Sequence, residues 1–212
     1  MNIRKSIAVV SATVALLALG AQPMLAVGGL RAASPSAVEP AAATVFGSDL
    51  SSKPFPNEAG GDAAQTCDEA PTKSCTRVMV TAYGAAGRAK APRDGVITKI
   101  RIIAMDSGSA RLFLAKLDPN NPDRAKVVRK GPVFSYQGQP DNGPVFVNTI
   151  DIPDIVVKKG ERLAIKAVRF SGLRGGSGSG QSLDFQPALT VGGGYQLADD
   201  DGWTMLIQAI YK

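Results

Sequence analysis

The chain has no histidine in its 212 residues. That absence excludes Ser-His-Asp and Cys-His catalysis and every metal site that depends on imidazole. Cysteine is almost as scarce. Cys67 and Cys75 are the only two, too few for a structural zinc site. From Cys67 onward, glutamate occurs only as Glu69 and Glu161. Glycoside hydrolysis needs two positioned carboxylates. Here one glutamate lies between the cysteines, the other sits in a Lys-Lys-Gly-Glu turn, and no pair of aspartates is marked out by its setting. The glycine-rich stretch Gly175 to Gly180 lacks the lysine and the helix of a phosphate-binding loop, and reads as a surface loop. No segment shows a helical period of apolar residues. These absences point away from an enzyme.

One apolar run is present, Ile7 to Leu19, behind the basic pair Arg4 and Lys5. It is too short for a permanent membrane span, and small residues follow it at Gly20 and Ala21. Residues 1–21 therefore read as a secretory signal peptide, and the protein as secreted, with no transmembrane segment. No cysteine near the cut offers a lipid anchor. Loss of Arg4 and Lys5 would take the formal net charge from +6 to +4. In the remainder, residues 21–66 carry a net charge of −2 and the stretch from Cys67 onward +6. Outside a cell, such a balance favours anionic partners such as wall polymers, acidic polysaccharide or lipid headgroups, or simply keeps the domain soluble. The basic residues are scattered over strands and no helix carries them, so nucleic acid is not an expected partner.

Residues 22–66 are rich in Ala, Pro, Ser and Gly, and their few large apolar residues follow no period. Such a segment buries too little surface to offset its ordering entropy, which predicts a disordered tether. Residues 67–212 change character. Short alternating runs are broken by turn residues: Arg77 to Tyr83, Gly95 to Met105, Ala110 to Leu117, Lys126 to Arg129 with Pro132 to Tyr136, Val145 to Ile152, Arg162 to Phe170, Ser182 to Gln186 and Trp203 to Tyr211. About eight such strands predict an all-β fold, a single β-sandwich of Greek-key or jelly-roll type. In an oxidising compartment Cys67 and Cys75 are expected to pair. The short loop they close would contribute about 2–3 kcal/mol and pin the start of the domain.

Three constellations are candidate sites. Asp199, Asp200 and Asp201 precede Gly202 and could offer oxygen ligands to Ca²⁺, although the same run also reads as a solvated turn. Around that turn, Tyr195 and Trp203, with Tyr136 nearby and Gln196 as a polar partner, suit a sugar site in which an aromatic face stacks on C–H groups. Trp203 also fits a core position, because it alternates with Met205, Ile207, Ala209 and Tyr211. Lastly, Lys99 and Arg101 share one strand face. Arg111 joins them if the two strands pair as a hairpin, giving a cationic stripe that Arg124, Lys126, Arg129 and Lys130 would extend. An ordinary solvated sheet face explains the same pattern.

The runs Gly95-Val96-Ile97-Thr98-Lys99-Ile100-Arg101-Ile102, Ala110-Arg111-Leu112-Phe113-Leu114, Val156 to Ile165 and Met205 to Ala209 carry a resemblance. Over residues 67–212 the chain is similar to a secreted β-sandwich domain of uncharacterised actinobacterial extracellular proteins. The resemblance implies a fold and a compartment and brings no catalytic residues and no ligand. The sequence thus predicts a non-enzymatic module that binds an extracellular polysaccharide or an anionic cell-wall component. The alternative is a structural module that docks on another surface protein and holds no small ligand.

Overall fold

The computed structural model describes residues 44–50, 64–65, 74–104, 106–139, 146–167, 173–174, 181–202 and 205–212. Among the described residues every regular element is a strand: β1 (Thr44–Gly47), β2 (Ala64–Gln65), β3 (Cys75–Thr81), β4 (Gly95–Ile102), β5 (Gly108–Leu117), β6 (Arg124–Tyr136), β7 (Asn148–Val157), β8 (Arg162–Ala167), β9 (Leu173–Arg174), β10 (Gln181–Phe185), β11 (Gln196–Leu197), β12 (Asp200–Gly202) and β13 (Ile207–Tyr211). No helix among them is long and apolar enough to cross a membrane. The strands form a four-stranded sheet, β1-β13-β4-β7, and a seven-stranded sheet, β11-β6-β5-β8-β3-β10-β12, with β2 and β9 as a separate pair. The fold is therefore all-β and built on two sheets.

Alternation along the strands divides the apolar side chains between two clusters. The larger one draws Ile97, Ile100, Ile102, Ile155, Val157, Ile207 and Tyr211 from the four-stranded sheet and Met79, Leu112, Leu114, Leu163 and Ile165 from the seven-stranded one. Strict alternation would group Ile100 and Ile102 with Thr98 and Val96. Instead, a register shift between Ile97 and Lys99 puts Ile97 on the buried side. Such a bulge adds one residue to one strand and reverses the faces beyond it. Bulges also run through β5 and β6, and join the two segments 126–129 and 132–136 into one long strand. Gly131 belongs in that strand because a Cβ there would lie 2.6 Å from Ile155 Cδ1 and 3.0 Å from the Leu112 carbonyl.

The second cluster, Val78, Phe113, Ala115, Ala125, Val127, Ala164, Leu183, Phe185 and Leu189, lies on the other face of the seven-stranded sheet. The stretch 196–202 explains how that face is covered. β11 pairs with β6 at one edge of the sheet, and β12, two residues later, pairs with β10 at the other. Between them Ala198 N–H donates to Asp123 O, and Asp199 N–H to Asp184 O, both at 2.9 Å. One continuous segment thus links both edges, and the sheet curls almost into a barrel around the second cluster.

Residues 44–50 fall inside the stretch expected to be a disordered tether, yet they are part of the folded body. β1 pairs with β13 from Thr44↔Tyr211 to Gly47↔Gln208. Phe46 is 1% exposed, and its ring meets Tyr211 edge-to-face with centroids 5.4 Å apart. The Ser48 hydroxyl donates to Met205 O at 2.6 Å and accepts from the Tyr83 amide at 3.2 Å. The physical reason is local. Thr-Val-Phe is a strand-forming triplet, and β13 would otherwise present an unpaired edge. Gly47 has a φ of 113°, and a Cβ there would lie 2.4 Å from Ile207 O, so the strand can end there only with glycine. Cys75 is fully buried at the start of β3 and is not a free thiol. Its expected partner Cys67 lies outside the described residues.

Because Phe46 is a core residue, Phe46→Ala is expected to destabilise the domain by about 3–5 kcal/mol. Equilibrium denaturation would measure this. A loss near zero would return residues 44–50 to the tether.

Candidate functional site

The sequence-predicted residues scatter. Lys99 and Arg101 lie on β4 in one sheet, and Arg111 on β5 in the other, so the hairpin that would align them does not form. Each is engaged locally instead. Lys99 pairs with Asp151, Arg101 Nη1 donates to Gln208 Oε1 at 2.8 Å, and Arg111 Nη1 to Gly131 O at 3.0 Å. The expected stripe is therefore not a single patch. Tyr136 is also no surface aromatic: it is 4% exposed and packs beside Phe134, at the end of β6 remote from Tyr195. Odd-even spacing on β6 puts both rings on the core side.

Tyr195 is half-buried just before β11. The Lys126 ammonium sits 4.3 Å above its ring centre, a cation–π contact, and Arg124 Nη2 donates to its carbonyl at 2.8 Å. One ring face is therefore taken by a cation, while Gln196 beside it is exposed. Asp199 accepts the Gln186 amide through Oδ2, which ties the closing segment to the end of β10. Asp200 and Asp201 pair along β12 with Asp184 and Leu183. Among the described residues no group of three or more acidic or cysteine side chains is set to hold a metal ion. Trp203 and the Gly175–Gly180 loop lie outside the described residues.

A site that the sequence reading missed lies where three turns meet. β5 and β8 are antiparallel neighbours with Ala115 opposite Arg162. The end of β5 and its loop to β6 therefore stand beside the β7–β8 turn. The segment before β4 joins them, with Lys90 bridged to Arg162 and the Ala91 amide donating to Glu161 O at 2.8 Å. The three border an open pocket of about 460 Å³ lined by Lys90, Lys116, Leu117, Asp118, Pro119, Pro122, Lys159, Gly160 and Arg162. Four of these side chains are cationic and one is anionic. Among the described residues, Lys90, Lys116 and Lys159 make no ion pair.

Each wall is fixed by its own chemistry. In the β5–β6 loop, Asp118 Oδ1 accepts the Asn120 amide at 2.9 Å and Asn121 Oδ1 the Asp123 amide at 3.0 Å, and two prolines stiffen the loop between them. The β7–β8 turn needs Gly160, whose φ is 84°. Glu161, the glutamate of the Lys-Lys-Gly-Glu turn, is buried, and both its oxygens are engaged: Oε1 accepts from Arg129 at 3.3 Å and Oε2 from the Lys158 amide at 2.8 Å. Asp94 clamps the outside of the turn, taking the Lys159 amide at 2.8 Å and the Lys158 ammonium at 2.9 Å. Those two bonds hold the Asp94 carboxyl below its usual range, the backbone bond more than the lysine.

Arg162 forms the floor. It is 7% exposed, and its Nη1 donates to Met79 O at 3.1 Å and to Val80 O. Its Nε and Nη2 make no hydrogen bond to the described residues, and neither is sealed from solvent. Burial pushes the guanidinium down from its ordinary value, but arginine starts so high that the charge persists at neutral pH. The signal in the sequence was cationic residues at strand ends. Only the β5–β8 pairing, made by strands about 50 residues apart in the chain, brings them together.

No protein-family model, curated protein or solved structure matches the chain.

The depressed Asp94 pKa has a sign. Its contribution to stability is present above the ordinary aspartate range and is lost as pH falls through the folded-state value. In an NMR titration the Asp94 carboxyl carbon should show a midpoint below about 3.9, and the Lys159 amide should follow the same curve. A midpoint at or above that value would mean the clamp does not form.

Proposed function

We propose that the chain is a secreted, non-enzymatic β-sandwich module, of Greek-key or jelly-roll type, that binds an extracellular polysaccharide or an anionic cell-wall component. The observation that carries this reading is the pocket at the meeting of the β5–β6 loop and the β7–β8 turn, where four cations converge against one carboxylate. Bringing like charges together is unfavourable unless an anion neutralises them, and a concave setting strengthens its attraction. The shared cluster between the two sheets supports the sandwich. The engagement of Glu161 by Arg129 and a backbone amide supports the non-enzymatic reading, because both oxygens of that buried carboxylate are held in structural bonds. Exposed Gln196 beside the half-buried Tyr195 provides a secondary polar contact for a polymer.

Co-sedimentation with purified cell wall and with insoluble polysaccharides tests the proposal. The chain should be retained at low salt. The triple variant Lys90→Ala, Lys116→Ala, Lys159→Ala should lose most of that retention, while Lys99→Ala, on the other sheet, should retain it. All three pocket lysines are exposed, so the substitutions should shift stability by no more than about 0.5 kcal/mol each. A chelator arm would report on Ca²⁺ at Asp199–Asp201. Absence of retention at any salt would favour docking on another surface protein instead.

A further inference from the structure

The composition of the pocket says more than its charge. Its lining has no aromatic ring, no side-chain amide and no hydroxyl. A site that reads a sugar ring uses those groups, an aromatic face for the C–H surface and polar side chains for the hydroxyls, and the one carboxylate here, Asp118, already accepts the Asn120 amide. A site built for a carboxylate typically presents a free arginine fork, because the planar guanidinium matches the carboxylate with two parallel bonds. Arg162 is the only arginine here; with its Nη1 committed to the Met79 and Val80 carbonyls, its Nε–Nη2 edge is the one fork left, which takes a carboxylate or a phosphate alike, so the distinction falls to the lysines. What remains is Nε and Nη2 at the floor and three ammonium groups on the rim. Ammonium ions are compact, donate in any direction and suit tetrahedral oxyanions of high charge density.

The charge balance narrows the choice. Four cations and Asp118 give the lining a net charge of +3. A single phosphate, at about −1.5 to −2, would leave part of that unmatched. The cavity of about 460 Å³ falls in the range of small-molecule sites and has room for more than one such group. Leu117, Pro119 and Pro122 supply an apolar wall that gives no polar competition from the protein's own side chains.

We propose that this pocket binds two linked phosphate groups, with Arg162 holding one from below and Lys90, Lys116 and Lys159 closing on both. The inference rests on the reading of the pocket as an anion site and names the anion. Two sources present the same chemistry: a free pyrophosphate or polyphosphate chain, and successive phosphodiesters of a wall polymer.

Isothermal titration calorimetry of the full chain, paired with backbone amide NMR, tests it. Three probes are compared at equal ionic strength: sodium pyrophosphate, a poly(glycerol phosphate) oligomer and trigalacturonate. Pyrophosphate should bind saturably at one site and shift the amides of Lys90, residues 116–118, Asn120, Asn121 and residues 159–162. Trigalacturonate, of similar charge but built from carboxylates and sugar rings, should bind at least about tenfold more weakly. The triple lysine variant should lose at least about tenfold in pyrophosphate affinity, with Lys99→Ala unchanged. Binding of pyrophosphate alone would assign the free-anion source, and equal binding of the phosphodiester oligomer the polymer. Equal affinity for trigalacturonate, no saturable binding of either phosphate probe, or an undiminished triple variant would each overturn the proposal. If the chain is retained on cell wall through these lysines but neither phosphate probe binds, the phosphate assignment fails and the wall-binding reading stands. If pyrophosphate binds through them without wall retention, the reverse holds.

Discussion

Along β5 and β8, the central strands of the seven-stranded sheet, both faces are withdrawn from water. Leu112, Leu114, Leu163 and Ile165 point into the cluster shared with the four-stranded sheet, while Phe113, Ala115 and Ala164 on the same two strands point into the other. A sheet buried on both sides needs covering on both, because an apolar face of that area left in water would cost about 25 cal/mol for every Å² exposed. The four-stranded sheet covers one face. The sheet covers the other with itself, by curling until the segment 196–202 reaches both edges. Small residues make this geometry possible. Ala115, Ala125 and Ala164 leave the room that Phe113 and Phe185 fill.

The pocket is a by-product of that closure. Curling brings strand ends, and therefore turns, into one ring at the end of the sheet, the usual mouth of a barrel-like fold. Turns carry the polar residues of a β protein, so what gathers at the mouth is set by turn chemistry rather than by strand faces. Here the β5–β6 loop is braced by two Asx turns and prolines and the β7–β8 turn by Asp94 and Glu161. The lysines that these braces present are held on stiff supports, which lowers the entropy lost when a ligand orders them.

Much of the fold was legible in the residues. Period-two patterns located eight strands of the body, β3 to β8, β10 and β13, because alternation is what half-burial imposes on a strand, whereas β1 and the two- and three-residue strands carried no such pattern. β1 was hidden by its neighbours: four residues of strand-forming sequence were swamped by the Ala, Pro and Ser around them, and their partner β13 lies more than 160 residues away. The bulge in β4 was equally invisible, since alternation on both sides of Thr98 looks continuous until a partner strand fixes the register. The site was misplaced for a related reason. Lys99, Arg101 and Arg111 were joined on the assumption that consecutive strands pair, whereas β4 and β5 part to different sheets. Lys116 and Arg162 were separately visible, and only the β5–β8 pairing makes them neighbours.

Among the described residues, the smaller sheet ends in β1 and β7, and in the larger sheet β6 runs on beyond its short partner β11. β1 is short, and Arg88 already exchanges two hydrogen bonds with Gly47 at its end. β7 is ten residues long, but it carries exposed Asp151, Pro153 and Asp154 along its middle. Proline withholds a donor from any incoming strand, and two carboxylates repel an identical copy. The long outer strand of the smaller sheet therefore resists pairing with a second copy of itself, and self-templated growth along that edge is blocked.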